Sequence, residues 1–397
     1  MKLGLIRQIA EAGNTPAYVL EADVLIRKLL SVRTGLGNNR NIRLCYAMKA
    51  NPFLIKTLEP YIDKYEVCSP GELSICRKED INMGKIVMSG VNKENDDIVH
   101  ALEWGVSVFT IESRAQLEMI QQCACSQNKM VQVLLRLTSG NQFGMDREDI
   151  LDIIEHRGDF RNLTVKGIQF YSGTQKKIKK ITEEIDALCG FCQELKEKYQ
   201  FEAEELEYGP GFGIDYFGRS DSGDNVPEEC KEAFEKVTDM NLQLTLEMGR
   251  FLAAECGSYI TRVMDVKRNQ GQNYCIVDGG IHHVNYYGQV MGARVPPVRH
   301  YSIAYNYEEI SAEDGEREAE NVCVCGSLCT VADVLVRNIT LCNVQEGDLF
   351  VFEKIGAYSV TEGIYLFLSR RMPKIYLLSG EELELIRDSY ETYQWNC

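Results

Sequence analysis

The stretch "IRLCYAMKANP" (42–52) couples an apolar run to a single lysine, Lys49, and then breaks at Asn51-Pro52. A short apolar run closed by a turn signal has the length of a buried strand. Seven more such runs follow: "YEVCS" (65–69), "KIVMSG" (85–90), "VSVFTI" (106–111), "VQVLLRL" (131–137), "TVKGIQF" (164–170), "AEELEYG" (203–209) and "LQLTLEM" (242–248). The stretches between them carry helical periodicity. Ile178, Ile181, Ile185, Leu188, Cys192, Leu195 and Tyr199, for instance, recur at steps of three and four. Roughly eight strands, each followed by a helix, in about 210 residues match an α/β fold, the (β/α)8 barrel, placed here at 26–251. An open doubly wound sheet is the alternative, but it usually has fewer strands and an early glycine-rich turn that is missing here.

After residue 252 the texture changes. "YITRVMDVKR", "NYCIVDGG", "ENVCVCGSLC", "VRNITLCNV", "DLFVFEKIG" and "KIYLLSG" are strand-like runs separated by Gly, Asn or charged turns. Residues 252–397 therefore read as a β domain, to which residues 1–25, with "AYVLEA", are expected to add a strand. Residues 216–230 read as a mobile polar loop within the barrel. A length of 397 residues suits two domains. The net charge of −16 argues against a nucleic-acid binder, which needs a basic face for phosphates. No stretch approaches the roughly 20 apolar residues of a membrane span, and the N-terminus lacks the apolar core of a signal peptide. Fifteen cysteines in such a chain read as reduced thiols in a cytoplasm. Neither Cys189 with Cys192 nor Cys123 with Cys125 has the second pair of a zinc site, so no metal is expected.

In a (β/α)8 barrel the active site lies at the C-terminal ends of the strands. Lys49 ends the first run, "QFYSGTQ" (169–175) continues the sixth, "YGPGFG" (208–213) ends the seventh and "EMGR" (247–250) ends the eighth. Closely spaced Gly209, Gly211 and Gly213 let backbone N–H groups approach an anion, and the loops after strands 7 and 8 are the usual phosphate site. A plain tight turn is the other reading of that loop. Lys49 is either a solvated lysine or a Schiff-base lysine activated by burial. A phosphate cradle opposite a Schiff-base lysine suggests pyridoxal 5′-phosphate. Glu247 suits the group that keeps the ring nitrogen protonated, so that the ring accepts a carbanion's electron pair; its structural alternative is a loop cap.

The segments "YAMKANP", "EVCSPGEL", "QFGMD", "QFYSGTQ", "YGPGFGI", "EMGR", "VDGG", "CGSLCTVAD" and "GDLFVFEKIGAY" cover nearly the whole chain. In content and order the sequence resembles the fold-type III pyridoxal-phosphate decarboxylases, which include diaminopimelate, ornithine and arginine decarboxylases. The resemblance implies an alanine-racemase-like N-terminal barrel, a C-terminal β domain and a head-to-tail homodimer with shared active sites. It implies that Lys49 binds the cofactor aldehyde and Glu247 its pyridine nitrogen. Gly211, Phe212, Gly213, Gly249 and Arg250 would offer backbone N–H groups to the phosphate, helped by Thr174 and Tyr358. Cys329 and Tyr358 would complete the site from the β domain, with Cys329 as the acid that protonates Cα.

Several positions depart from the family. Tyr171 stands where a histidine stacks on the cofactor; an aromatic ring still stacks but is no imidazole. Tyr286 stands where diaminopimelate decarboxylases carry an arginine for the distal carboxylate. Thr330 replaces the glutamate, or the aspartate of ornithine decarboxylases, that recognises a distal ammonium. Gln142 replaces a lysine that in relatives pairs with the acid matching Asp333. A buried site without the two charged contacts should reject a doubly charged far end, because an unpaired buried charge is costly. "GGIHH" (279–283), "GQV" (288–290) and "LCTVAD" (328–333) more closely resemble a secondary-metabolism branch acting on conjugated amino acids, such as carrier-protein thioesters or citryl amides of siderophore precursors.

The expected substrate is an L- or D-amino acid with a neutral or conjugated side chain; a free diamino acid such as diaminopimelate is the alternative. Arg294, Arg299 and His300 form a basic cluster that meets an acidic carrier protein or is a solvated face. A racemase on the same barrel would place an arginine at the ring nitrogen, against which Glu247 argues. A non-catalytic homologue would not need Lys49, the glycine loop and Cys329 together.

Overall fold

Parallel strands require long crossover connections, and the helical stretches between the eight apolar runs supply them. The computed structural model describes residues 2–106, 108–218, 225–310 and 319–397. Strands are numbered in chain order, and β1 (Ala17–Glu21) lies outside the barrel. The barrel strands are β2 (Ile42–Ala47), β3 (Lys64–Val67), β4 (Ile86–Met88), β5 (Val108–Ile111), β6 (Val131–Leu137), β7 (Leu163–Tyr171), β8 (Glu205–Gly209) and β9 (Gln243–Met248). They form a closed parallel ring in chain order. It closes where β2 meets β9, with Cys45 opposite Glu247 and Tyr46 opposite Met248.

Side chains alternate between the two faces of a strand. Lys64 and Glu66, Glu205 and Glu207, and Thr245 and Glu247 therefore share a face within each strand. Lys64 on β3 forms an ion pair with Glu205 on β8, although β2 and β9 lie between those strands. That shared face is the barrel interior, and it is charged. The other face is apolar: Leu44, Tyr46, Tyr65, Leu206, Tyr208 and Leu246 are fully buried. The helix Ile178–Tyr199 buries Ile181, Ile185, Leu188, Cys192 and Leu195, the periodic stripe of the sequence. Ser69 caps the helix Pro70–Lys78 by accepting from the Glu72 N–H at 3.1 Å, while the Glu72 carboxylate accepts from the Cys68 N–H at 2.7 Å.

A second compact unit gathers residues 2–25, 215–218, 253–310 and 319–397. Its remaining strands are β10 (Gly257–Asn269), β11 (Gln272–Val277), β12 (Val298–Ser302), β13 (Glu308–Ile310), β14 (Ala319–Cys325), β15 (Val334–Cys342), β16 (Leu349–Phe352), β17 (Lys374–Ser379) and β18 (Glu382–Arg387). The main sheet runs β13-β12-β16-β10-β1-β17-β18, and β11, β14 and β15 extend it from β10. Strand β1 pairs antiparallel with β10 and parallel with β17. Ile6 and Ile9 of the helix Leu3–Glu11 pack with Val19, Ile260, Leu349 and Val351. Residues 215–218, expected in a barrel loop, are held in this unit: the Asp215 carbonyl accepts from Lys354 Nζ at 2.8 Å, and Tyr216 and Phe217 pack on Tyr286. Residues 219–224 of the expected polar loop lie outside the described residues.

Strands β12, β13 and β18 carry no clear sequence signal. The basic cluster expected of Arg294, Arg299 and His300 does not form, because β12 draws two of its members into pairs. His300 is buried with Nε2 2.8 Å from Asp348, and Arg299 pairs with Glu353 at 2.8 Å and Glu309 at 3.3 Å. The Arg294 guanidinium lies over the Phe217 ring at 5.2 Å. All fifteen cysteines are free. Among the described residues no helix is long and apolar enough to cross a membrane, and no group of His, Cys, Asp and Glu could hold a metal ion.

Candidate active site

Strand β2 ends in a 3-10 turn, Met48–Ala50. The Asn51 side chain accepts from the Phe53 N–H at 3.1 Å and the Asn51 carbonyl accepts from the Tyr46 hydroxyl at 3.0 Å, so the Asn-Pro break fixes Lys49 at the strand tip. Lys49 is not buried as expected of an activated amine: 38% of its side chain is open. The burial falls on its partners instead, with Glu66 at 4% and Glu247 at 6%. Lys49 Nζ forms an ion pair with Glu66 and lies 3.6 Å from Glu247 Oε1 and 3.7 Å from Cys68 Sγ. The Cys68 thiol donates to Glu66 at 3.2 Å, and Gln169 Nε2 donates to Glu247 at 3.2 Å.

Burial, reinforced by the neighbouring Glu66, pushes Glu247 up to about 7. Burial also opposes the charge on Glu66, but Lys49 beside it holds that carboxyl below its ordinary value. Deeper in the interior, Glu205 accepts from Thr245 Oγ1 at 2.5 Å and pairs with Lys64. Glu207 is fully buried and, among the described residues, neither carboxyl oxygen has a hydrogen-bond partner; burial pushes it well above the usual carboxylate range. Glu66, Cys68 and Gln169 are functional candidates that sequence reasoning missed. Their one signal was polarity inside otherwise apolar runs.

The glycine loop after β8 packs on the turn after β7. A Cβ on Gly209 would collide with the Tyr171 ring, and a Cβ on Gly211 would strike the Gly173 carbonyl. Gly211 also has φ +59°, the left-handed region where glycine carries no steric cost. Gln175 clasps the far end of the loop, donating to the Ile214 carbonyl at 3.1 Å and accepting from the Ile214 N–H at 2.7 Å. Phe212 is buried, with ring centroids 5.0 Å from Phe251 and 6.4 Å from Phe234. At the end of β9, a Cβ on Gly249 would lie 2.9 Å from Ala50 Cβ, so the "EMGR" turn rests on the turn that carries Lys49. The strand ends thus bring Lys49, Tyr171, Thr174, Gly211, Phe212, Gly213, Glu247, Gly249 and Arg250 to one end of one barrel.

The second unit carries the remaining candidates on loops. Cys329 and Thr330 are exposed in the turn 326–333. Asp333 is buried and accepts from the Ile281 N–H at 2.8 Å and the Leu328 N–H at 2.7 Å. Asp333 thereby fastens the loop that carries Cys329. Thr330 Oγ1 accepts from the Ala332 N–H at 3.3 Å. Tyr286 is buried; its hydroxyl donates to the Glu353 carbonyl at 2.6 Å and its ring meets Tyr216 at 5.5 Å. It presents a ring rather than a free hydroxyl. Tyr358 adopts φ +69°, uncommon for a non-glycine residue, and its carbonyl accepts from the Thr361 and Glu362 N–H groups.

The donor set in the barrel fits pyridoxal 5′-phosphate. It combines a primary amine at a strand tip, a buried carboxyl poised near neutrality, an aromatic ring and a glycine loop with no room for a Cβ at Gly209 or Gly211. The family described as pyridoxal-dependent decarboxylase, pyridoxal binding domain, matches residues 22–254. The chain belongs to that family and is a pyridoxal-phosphate-dependent amino-acid decarboxylase of the fold-type III class. Among its relatives are the L-glutamyl-[BtrI acyl-carrier protein] decarboxylase of Niallia circulans, 26% identical over 96% of this chain and 93% of that protein, and the diaminopimelate decarboxylase of Bacteroides thetaiotaomicron, 28% identical over 91% and 95%. The 2-[(L-alanin-3-ylcarbamoyl)methyl]-2-hydroxybutanedioate decarboxylase of Staphylococcus aureus is 26% identical over 87% and 90%. The fold matches the crystal structure of diaminopimelate decarboxylase from M. jannaschii with a TM-score of 0.85 and 23% identity, over 97% of this chain and 92% of that one.

When bound, the cofactor supplies an electron sink for the pair left on Cα as CO2 departs. Lys49 would hold its aldehyde end, Glu247 its ring nitrogen, Tyr171 its ring face and the Gly211–Gly213 and Gly249 backbones its phosphate. Glu66 pairs with the Lys49 ammonium, and the Gln169 amide orients the Glu247 carboxyl.

Proposed function

We propose that the chain decarboxylates an α-amino acid whose far end is neutral or conjugated, with Lys49, Glu247 and Cys329 as its catalytic groups. Tyr286 carries the reading. A distal carboxylate needs a cation at that place, and Tyr286 offers an aromatic ring whose hydroxyl is held by a backbone carbonyl. Thr330 offers no charge to a distal ammonium. Leaving either charge unpaired in a dry site is expensive. Relatives named for conjugated and for free amino acids are about equally similar, so these two positions, rather than overall identity, favour the conjugated class.

On this reading Tyr171 stacks on the cofactor, and Thr174, Gly211, Phe212, Gly213, Gly249, Arg250 and Tyr358 bind its phosphate. Cys329 protonates Cα. The working unit is a homodimer in which Cys329 and Tyr358 serve the partner's barrel, and its compartment is the cytoplasm, in keeping with fifteen free thiols. The test measures CO2 release from meso-diaminopimelate, ornithine and amino acids carrying an amide- or thioester-linked tail. Turnover of the conjugated compounds is expected; rapid release from meso-diaminopimelate would overturn the assignment.

A further inference from the structure

Lys176 follows the Tyr171–Gln175 turn and has no part in the reading above. Its side chain is only 3% exposed. Nζ donates to Glu184 Oε2 at 2.7 Å, the Gly209 carbonyl at 2.8 Å, and the hydroxyls of Tyr208 and Ser172 at 3.2 Å each. The Lys176 backbone N–H donates to the Gly211 carbonyl at 2.9 Å, and Lys176 Cε lies 2.8 Å from the place a Gly211 Cβ would take. Glu184, on the helix Ile178–Tyr199, also accepts from the Tyr208 hydroxyl at 2.7 Å and from Ser172 Oγ at 2.5 Å. A lysine ammonium has three protons, and with four acceptors in reach all three are used.

One buried residue thus grips two carbonyls of the glycine loop, Gly209 through its side chain and Gly211 through its main chain. Carbonyl oxygens held on the lysine are kept from an anion in the loop, whose N–H groups are then left to receive it. The choice of a lysine matters energetically. A buried ion pair contributes little to stability compared with a well-packed apolar pair, so a mere spacer beneath the loop would be better made of methylenes.

We propose that Lys176, with Glu184 as its counter-ion, is a positioning residue of the cofactor's phosphate site, orienting the glycine loop and adding positive potential behind it. This rests on the phosphate reading of that loop. The test titrates the cofactor-free protein with pyridoxal 5′-phosphate and with pyridoxal, which lacks the phosphate, and compares the ratio of their dissociation constants. Lys176→Met should cut the preference for the phosphorylated form by about tenfold, the loss of one charge-assisted contribution, and leave pyridoxal binding unchanged. Glu184→Gln should move the preference the other way, by about twofold, because it unmasks the lysine's charge.

Unchanged ratios in both variants overturn the proposal, and if Lys176→Met does not fold, Glu184→Gln decides alone. Gly211→Ala separates this failure from failure of the loop reading. If Gly211→Ala lowers the ratio while the Lys176 and Glu184 variants do not, the loop binds phosphate without help from Lys176. If the unaltered protein does not discriminate between the two compounds, both readings fall together.

Discussion

In the barrel, Lys49 is held by the buried carboxyls of Glu66 and Glu247; in the second unit, Cys329 is held by a buried carboxylate that binds backbone N–H groups. The same residue class does different work in the two places. Burial, reinforced by the neighbouring Glu66, raises Glu247 to about 7, while Lys49 holds Glu66 below its ordinary value. Charge against backbone at Asp333 fixes a loop's shape. The first arrangement sets the charge of the groups around Lys49, and the second sets the shape of the loop that carries Cys329.

The widest difference should come from removing the amine. Lys49→Ala is expected to lower CO2 release by at least about a thousandfold, the scale of losing a group that acts on the reacting atoms. Borohydride reduction followed by mass spectrometry should find the cofactor's mass on Lys49 in the unaltered protein and none at that position in the variant.

Asp333→Ala should break the second arrangement without touching the first. It leaves two backbone N–H groups unpaired, at about 1–3 kcal/mol each. Turnover should fall while cofactor affinity, measured by titration, holds. Loss of both together would mean that the loop and the barrel site are not separable.

Glu207 sharpens the comparison by pH. Its folded-state pKa is raised by burial, so the stability it allows is present below the unfolded value and is lost as pH rises above the usual carboxylate range. Glu207→Gln should flatten that decline, by at most about 1.4 kcal/mol per pH unit, in denaturant titrations run from pH 5 to 9. Parallel curves for the two proteins would show that the group is not protonated in the fold.

The smallest effect is expected at Tyr286. Tyr286→Phe loses one hydrogen bond to the Glu353 carbonyl, about 1 kcal/mol of stability, and should leave substrate preference unaltered. A change in preference would mean that the hydroxyl, not the ring, meets the substrate.

The barrel was legible because its signals are local. Each of the eight runs and its closing turn can be read within about ten residues. The second unit was harder. Strand β12 contains Arg299 and His300, which look like surface until Asp348, Glu353 and Glu309 are brought beside them. The loop expected at 216–230 also divides, because Lys354 and Tyr286 hold its first residues in the second unit.

By itself the sequence determined the order of elements, the strand-tip position of Lys49, the glycine loop and the family, since these rest on residue types and short spacings. Only the tertiary structure decided that Glu66 and Gln169 join Lys49 and Glu247, that Asp333 binds the backbone of the Cys329 loop, that Lys176 lies beneath the glycine loop, and that Lys49 stays part open while its partners are buried. The physical reason is separation along the chain. Gln169 reaches Glu247 across 78 positions and Lys64 reaches Glu205 across 141, and no local pattern encodes which distant polar group will neutralise a buried one.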